Sequence, residues 1–222
     1  CSSDLSTSQG LHRKAWDFTT PHGVMAPPGT YSVDLVQLVD GQRTQLVEPV
    51  DFEIEPLVFP ETSTENRLAI VEFAKQARNL ADTVGATSAV LAKAQEQLDA
   101  IEKVVQANPQ LDPALLQDVR ALEVKLMDIN EAFNGDPTKS RRSESAYPGF
   151  RSRLRTMMSG AVGSTEGPTE THRQQFAIIA AEYQGVAEQV SQLLDVDLPA
   201  LNAKLDAAGA PWTPGRKIPG IK

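Results

Sequence analysis

Three histidines, one cysteine and a few closely spaced carboxylates are the residues here whose types are suited to chemistry. His12, His22 and His172 lie far apart, and none has a partner at metal-ligand spacing. A zinc site needs several His or Cys ligands, and Cys1 is the only cysteine. No metal ligand is therefore assigned, and His12 and His172 read as surface residues. Asp195/Asp197 and Glu53/Glu55 are paired acids. Glycoside hydrolysis needs two carboxylates fixed across a cleft, whereas a chain with 29 acidic residues contains such pairs by composition alone. Asp195 and Asp197 are expected to cap a final helix. Gly160, Gly163 and Gly167 punctuate a turn, and there is no phosphate loop, nucleophile elbow or calcium-loop spacing. The expectation is no enzyme, no catalytic or cofactor-binding residue, no cofactor and no small-molecule substrate within this chain.

The basic segment is more informative. Lys139, Arg141, Arg142, Arg151, Arg153 and Arg155 fall within seventeen residues, opposed only by Glu144, in a chain of net charge -8. Such a reversal of sign reads either as a docking patch for an acidic partner or anionic headgroups, or as a face neutralised by neighbouring acidic helices. Trp212, among Pro211, Pro214 and Pro219, reads as a buried anchor on a partner or as part of a tail folded over the end of the helices. Cys1, followed by Ser2 and Ser3, has the look of a mature bacterial lipoprotein with an acylated first residue. Each buried CH₂ of such a lipid contributes about 0.8 kcal/mol to anchoring.

These residues must be held by elements of two kinds. In the first 57 residues the pattern is of strands. Tyr31, Val33 and Leu35 alternate with Ser32, Asp34 and Val36, and Val50, Phe52 and Ile54 alternate with Asp51, Glu53 and Glu55. Asp40-Gly41 is a hairpin turn signal. Residues 1–60 carry three Lys/Arg against eight Asp/Glu. Three or four antiparallel strands result, fewer than the roughly seven of a complete sandwich.

From Thr64 the pattern becomes helical. Alternating steps of three and four give Ile70, Phe73, Ala77, Leu80, Val84, Thr87, Leu91, Ala94, Leu98, Ile101 and Val105, apolar throughout except Thr87. This stripe predicts one helix over 64–107, about 65 Å long, capped by Thr62, Ser63 or Thr64 and ended at Asn108-Pro109. Asp112 and Pro113 open a second helix, with Leu115, Val119, Leu122, Leu126, Ile129 and Phe133 inward and Asn134-Gly135 as its stop. A polar loop over 136–146 precedes a third, with Phe150, Leu154, Met158 and Val162 inward. Pro168 and Thr169 open a fourth, with Phe176, Ile179, Tyr183, Val186, Val190 and Leu193 inward. Pro199 implies a break or kink near 195–197. Leu198, Leu201, Leu205 and Ala208 form a last short helix, followed by an extended Pro/Gly-rich tail.

The fold class is α+β: a small antiparallel Ig-like β segment (1–57), an antiparallel up-down helical bundle with one very long helix (58–208), and the tail (209–222). Hydrophobic residues make up 41% and aromatics 5%, which suits a helical bundle. The acidic balance argues against nucleic acid as a partner.

The residues Gly10 to Asp17, followed by Ala26-Pro27-Pro28-Gly29-Thr30-Tyr31-Ser32-Val33, carry Trp-Asp and Pro-Gly-x-Tyr elements. They resemble the second half of the Ig-like domain first described in flagellar hook-capping proteins. With the helical region ending in Asp197 to Asn202 and Ala208-Gly209, the chain resembles the C-terminal region of secreted bacterial BNR-repeat or sortilin-like β-propeller proteins, often labelled glycosyl hydrolases. The propeller and its Asp-box pattern do not occur here, so the resemblance transfers no catalytic residue. The expected role is a non-enzymatic docking or structural subunit in a larger protein assembly, on the periplasmic or outer face of a bacterial membrane and tethered through Cys1. Arg141, Arg142, Arg151, Arg153, Arg155 and Trp212 are its candidate contacts. The alternative is a C-terminal accessory module of a secreted propeller protein.

Overall fold

A computed structural model of the chain describes residues 4–21, 23–56, 64–162 and 167–218. Cys1, His22, Gly163 and the candidate caps Thr62 and Ser63 lie outside the described residues. The chain divides into two units, Cys1–Arg78 with Met158–His172 and Asn79–Met157 with Arg173–Lys222.

The first unit contains the strands. β1 (Gly29–Val33) pairs antiparallel with β4 (Val50–Ile54), setting Tyr31 opposite Phe52 and Val33 opposite Val50. β2 (Val36–Val39) pairs with β3 (Gln42–Gln45) across Asp40 and Gly41, whose φ values of 49° and 78° are the left-handed pair required by a tight hairpin turn. One hairpin is thus nested in the other. The strand expected to run unbroken from Tyr31 to Val36 is interrupted, because residues 34–35 face the longer stretch 46–49 and Pro49 has no N–H for the ladder. The described strands form two antiparallel sheets of two strands each.

Trp16 joins this hairpin to the segment before it. Its ring lies 5.3 Å from Phe18, 5.7 Å from Tyr31 and 6.2 Å from Phe52. Its indole N–H donates to the Thr19 carbonyl (2.9 Å), and the Tyr31 hydroxyl donates to the Pro27 carbonyl (2.7 Å). Asp17 accepts from the Thr19 hydroxyl and N–H, and these hydrogen bonds hold its carboxyl below the usual carboxylate range. The Trp-Asp and Pro-Gly-x-Tyr residues therefore build one small aromatic core.

The helices are α1 (Thr64–Ala107), α2 (Pro113–Asn134), α3 (Pro137–Arg141), α4 (Phe150–Val162), α5 (Glu170–Ser191) and α6 (Leu198–Ala207). Along α1, Phe73, Ala77, Val84, Leu91, Ala94, Leu98, Ile101 and Val105 are buried, and Ile70, Leu80 and Thr87 half-buried. Asp112 caps α2 by accepting the Ala114 N–H at 2.9 Å, with Pro113 in the first turn and Gly135 at the stop. α3 occupies part of the expected polar loop. Asp136 nucleates it by accepting the N–H groups of Thr138 and Lys139, which lowers the Asp136 carboxyl below its usual range. The loop then returns to α2. A Cβ on Gly149 would lie 2.5 Å from the Phe133 carbonyl oxygen, so only glycine fits there.

Three further places differ from the sequence expectation. On α4 the buried residues are Phe150, Leu154, Met157 and Ala161, with Met158 half-buried, because the helix turns its stripe at steps of four, three and four. Ala208 is exposed as the residue capping α6, not inward. The chain does not break before Pro199. A π turn (Gln192–Asp197) joins α5 directly to α6, and the Leu198 N–H reaches back to the Leu193 carbonyl. The widened turn accommodates the missing Pro199 donor without ending the helical path.

In the second unit α2 runs antiparallel to the α5–α6 path. Asp118 meets Lys204 (2.7 Å), Lys125 meets Asp197, and Phe133 meets Tyr183 with ring centroids 6.3 Å apart. α1 meets the same path at Thr87–Tyr183 and Gln97–Asn202. Phe133, Phe150 and Tyr183 pack edge to face in a triangle at one end. The Thr87 hydroxyl, the one polar group in the stripe, bonds the Tyr183 hydroxyl (2.6 Å) and the Thr83 carbonyl (2.9 Å).

Leu98 and Leu126 are fully buried, so Leu98→Ala or Leu126→Ala is expected to cost about 2–5 kcal/mol. Met127→Ala, at an exposed position of α2, should stay within about 0.5 kcal/mol. Denaturant titration of the three variants checks the contrast.

Candidate docking surface

The basic segment is divided by its own helices. α3 carries Lys139 and Arg141, with Arg142 capping its end, while α4 carries Arg151, Arg153 and Arg155. Arg153 points inward from α4 toward α5. Its side chain is only 9% exposed, is ion-paired to Glu182 and lies over the Tyr147 ring with 5.0 Å to the centroid. Arg142 pairs with Glu144 at 3.2 Å, and Lys139 with Asp136 at 3.7 Å. Neutralisation by neighbours thus accounts for these three cations.

It does not account for the others. Arg141, Arg151 and Arg155 are exposed and have no side-chain partner among the described residues. Arg151 and Arg155 stand one helical turn apart on the same face of α4. Tyr147, held by Arg153, is 71% exposed. Within the expected docking set, Arg153 is held between α4 and α5 by Glu182, whereas Arg142 is exposed and paired with an exposed Glu144.

Trp212 does not belong to this surface. The tail, expected to be extended, lies back on the second unit. Ala210, Thr213 and Arg216 are buried, and Gly215 comes so close to α1 that a Cβ there would sit 2.6 Å from the Gln97 side chain. The Arg216 guanidinium donates to the Pro211 carbonyl (2.7 Å) and pairs with Asp206, and the Trp212 indole N–H donates to the Arg216 carbonyl (3.3 Å). A buried cation with these acceptors keeps a proline-rich segment folded back instead of free. Asp206 lies near the Asp118–Lys204 level, fifteen residues along α2 from Phe133, or about 22 Å at 1.5 Å per residue. Trp212 and the arginines thus mark opposite ends of the unit. Trp212 is 47% exposed.

The remaining candidates for chemistry are dispersed. His12 is exposed and its ring bonds the Ser8 carbonyl at 2.6 Å. His172 is half-buried and completes a reciprocal cap on α5: its Nδ1 accepts the Thr169 N–H (3.2 Å) and its own N–H donates to the Thr169 hydroxyl (3.3 Å). Sequence reasoning missed this role because the residue three positions after the cap is usually Glu or Gln. Asp197 does not cap α6 with its side chain. It pairs with Lys125 and accepts from Gln192, which together hold its carboxyl below the usual range. Asp195 lines a shallow open groove along α5 and the π turn with Gln184, Glu188, Ser191 and Gln192. Glu123 is raised instead, by burial and by Glu102 and Asp99 nearby. Among the described residues no group of three or more His, Cys, Asp and Glu is placed to hold a metal ion, and no helix is long and apolar enough to cross a membrane.

Compared with protein-family models, curated proteins and solved structures, the chain matches none.

Because the Asp197 carboxyl is depressed in the folded protein, its pairing stabilises above the unfolded value of about 3.9 and is lost as pH falls through the folded one. The stability gap between the native chain and Asp197→Asn should therefore be widest above about pH 5 and close toward pH 2. Glu123→Gln should behave oppositely, with a gain near neutral pH that vanishes in acid. Chemical denaturation across that range checks both signs.

Proposed function

We propose that this chain is a non-enzymatic docking and structural subunit that binds a larger protein assembly. The observation that supports this is the incomplete neutralisation of the basic segment: Arg141, Arg151 and Arg155 are exposed and have no side-chain partner among the described residues, in a chain of net charge -8. A rigid helix holding two arginines one turn apart suits an acidic protein surface, where complementary charge steers encounter and sets register. The buried stripe of α1 gives that surface a stiff support.

We place the subunit on the periplasmic or outer face of a bacterial membrane, with acylation of Cys1 as the test of a lipid tether there. The β segment fits half of an Ig-like domain, since its Trp-Asp and Pro-Gly-x-Tyr residues share one aromatic core. That same observation favours the second reading, an accessory module at the C-terminal end of a secreted propeller protein. Intact mass of Cys1 in native protein separates the two: an added diacylglycerol and acyl chain supports the tethered subunit, and a free thiol removes the tether.

Reversal of all three unpaired arginines (Arg141→Glu, Arg151→Glu, Arg155→Glu) is expected to abolish co-purification with the native assembly while leaving thermal stability unchanged. Arg153→Ala should do the reverse, lowering stability by about 1.5–3 kcal/mol through loss of a charged hydrogen bond. Undiminished capture of the assembly by the triple variant would refute the docking role of this face.

A further inference from the structure

We infer that the outer edge of β4 is a strand-addition site for an extended segment of another protein in which Lys or Arg alternates with apolar residues. The inference deepens the docking reading, resting on it only for the partner's being a protein, and it concerns a surface apart from the arginines.

Among the described residues β4 has one strand neighbour, β1, and its other edge presents alternate N–H and C=O groups with no described strand beside them. A two-stranded hairpin is marginal alone and gains from a third strand. The two faces of β4 differ sharply. Val50, Phe52 and Ile54 share one face, where Phe52 and Ile54 are half-buried and Val50 remains 60% exposed beside Val33 at 57%. Asp51, Glu53 and the following Glu55 share the other, all exposed and without a side-chain partner among the described residues. The nearest cation in the hairpin, Arg43, is already paired with Asp34 at 2.7 Å.

This pattern selects the occupant. A second copy adding through the same edge would set acids against acids, and like charges in directly opposed positions destabilise a sheet. A strand with basic side chains opposite Asp51 and Glu53 and apolar ones opposite Val50, Phe52 and Ile54 satisfies both faces. Pro49 and Pro56 bracket the edge and lack N–H donors, which limits the added strand to about five residues.

The test uses the full chain and two synthetic probes of about seven residues, one alternating Lys with Val and one alternating Glu with Val. The lysine probe is expected to bind at least about tenfold more tightly at low salt and to slow amide exchange over residues 50–54. N-methylation of its every second backbone nitrogen should remove binding, since the ladder needs those donors. The double variant Asp51→Lys, Glu53→Lys alters only exposed side chains and should reverse the preference toward the glutamate probe. Equal affinity for the two probes, no binding of either, or undiminished binding of the N-methylated probe would overturn the proposal. Binding of neither probe by a chain that still captures its native assembly would leave the docking role standing and assign the β4 acids to keeping edges apart.

Discussion

The Tyr183 hydroxyl closes on Thr87 at 2.6 Å, at the one polar position in the stripe that α1 buries from Phe73 to Val105. Everything in the helical part depends on that stripe being covered. A helix that buries a stripe needs neighbours at more than one level, and within the second unit the α5–α6 path meets α1 at two because it does not stop at Pro199. The π turn keeps the path continuous, so that Tyr183 and Asn202 can both meet α1. A hydroxyl in such a seam costs stability unless it is bonded, and the Tyr183 contact removes that cost while tying α1 to α5.

The second constraint is electrostatic. Among the described residues several cations are held in ion pairs, and where they pair shows what they do. Lys125 and Lys204 tie α2 to the π turn and α6, Arg153 ties α4 to α5, and Arg216 ties the tail to Asp206. These pairs lie between elements and fix how the elements meet. Arg141, Arg151 and Arg155 have no side-chain partner among the described residues and tie no elements together. Surface ion pairs contribute little individually, so the argument rests on their placement and not on summed energies.

The strand region follows a different economy. Its core is four aromatic rings and two hydrogen bonds to backbone carbonyls, with much apolar surface still open on the hairpin. Its acids stand on one face of β4 and its apolar residues on the other, so its character as a surface is set by alternation along a short strand and not by a pocket.

Much of this was legible in the residues. Period-two alternation marks β1 and β4, the three-four steps mark α1 and α2, and Asp112-Pro113, Asp40-Gly41 and Asn134-Gly135 mark boundaries, because each depends on φ/ψ limits or on a side chain bonding its own backbone. Those are local effects, readable within a few residues. The π turn, the fold-back of the tail, the inward turn of Met157 in place of Met158 and the division of the arginines were not legible, because each is decided by what lies across the packing interface. Arg151 and Arg153 are two residues apart in sequence, yet only the approach of Glu182 and Tyr147 makes one of them structural and leaves the other free. The sequence by itself determined β1, β4, the longer helices and the stripe that α1 buries; the tertiary structure alone decided which charges remain unmatched, since pairing depends on distances between elements that no spacing along the chain encodes.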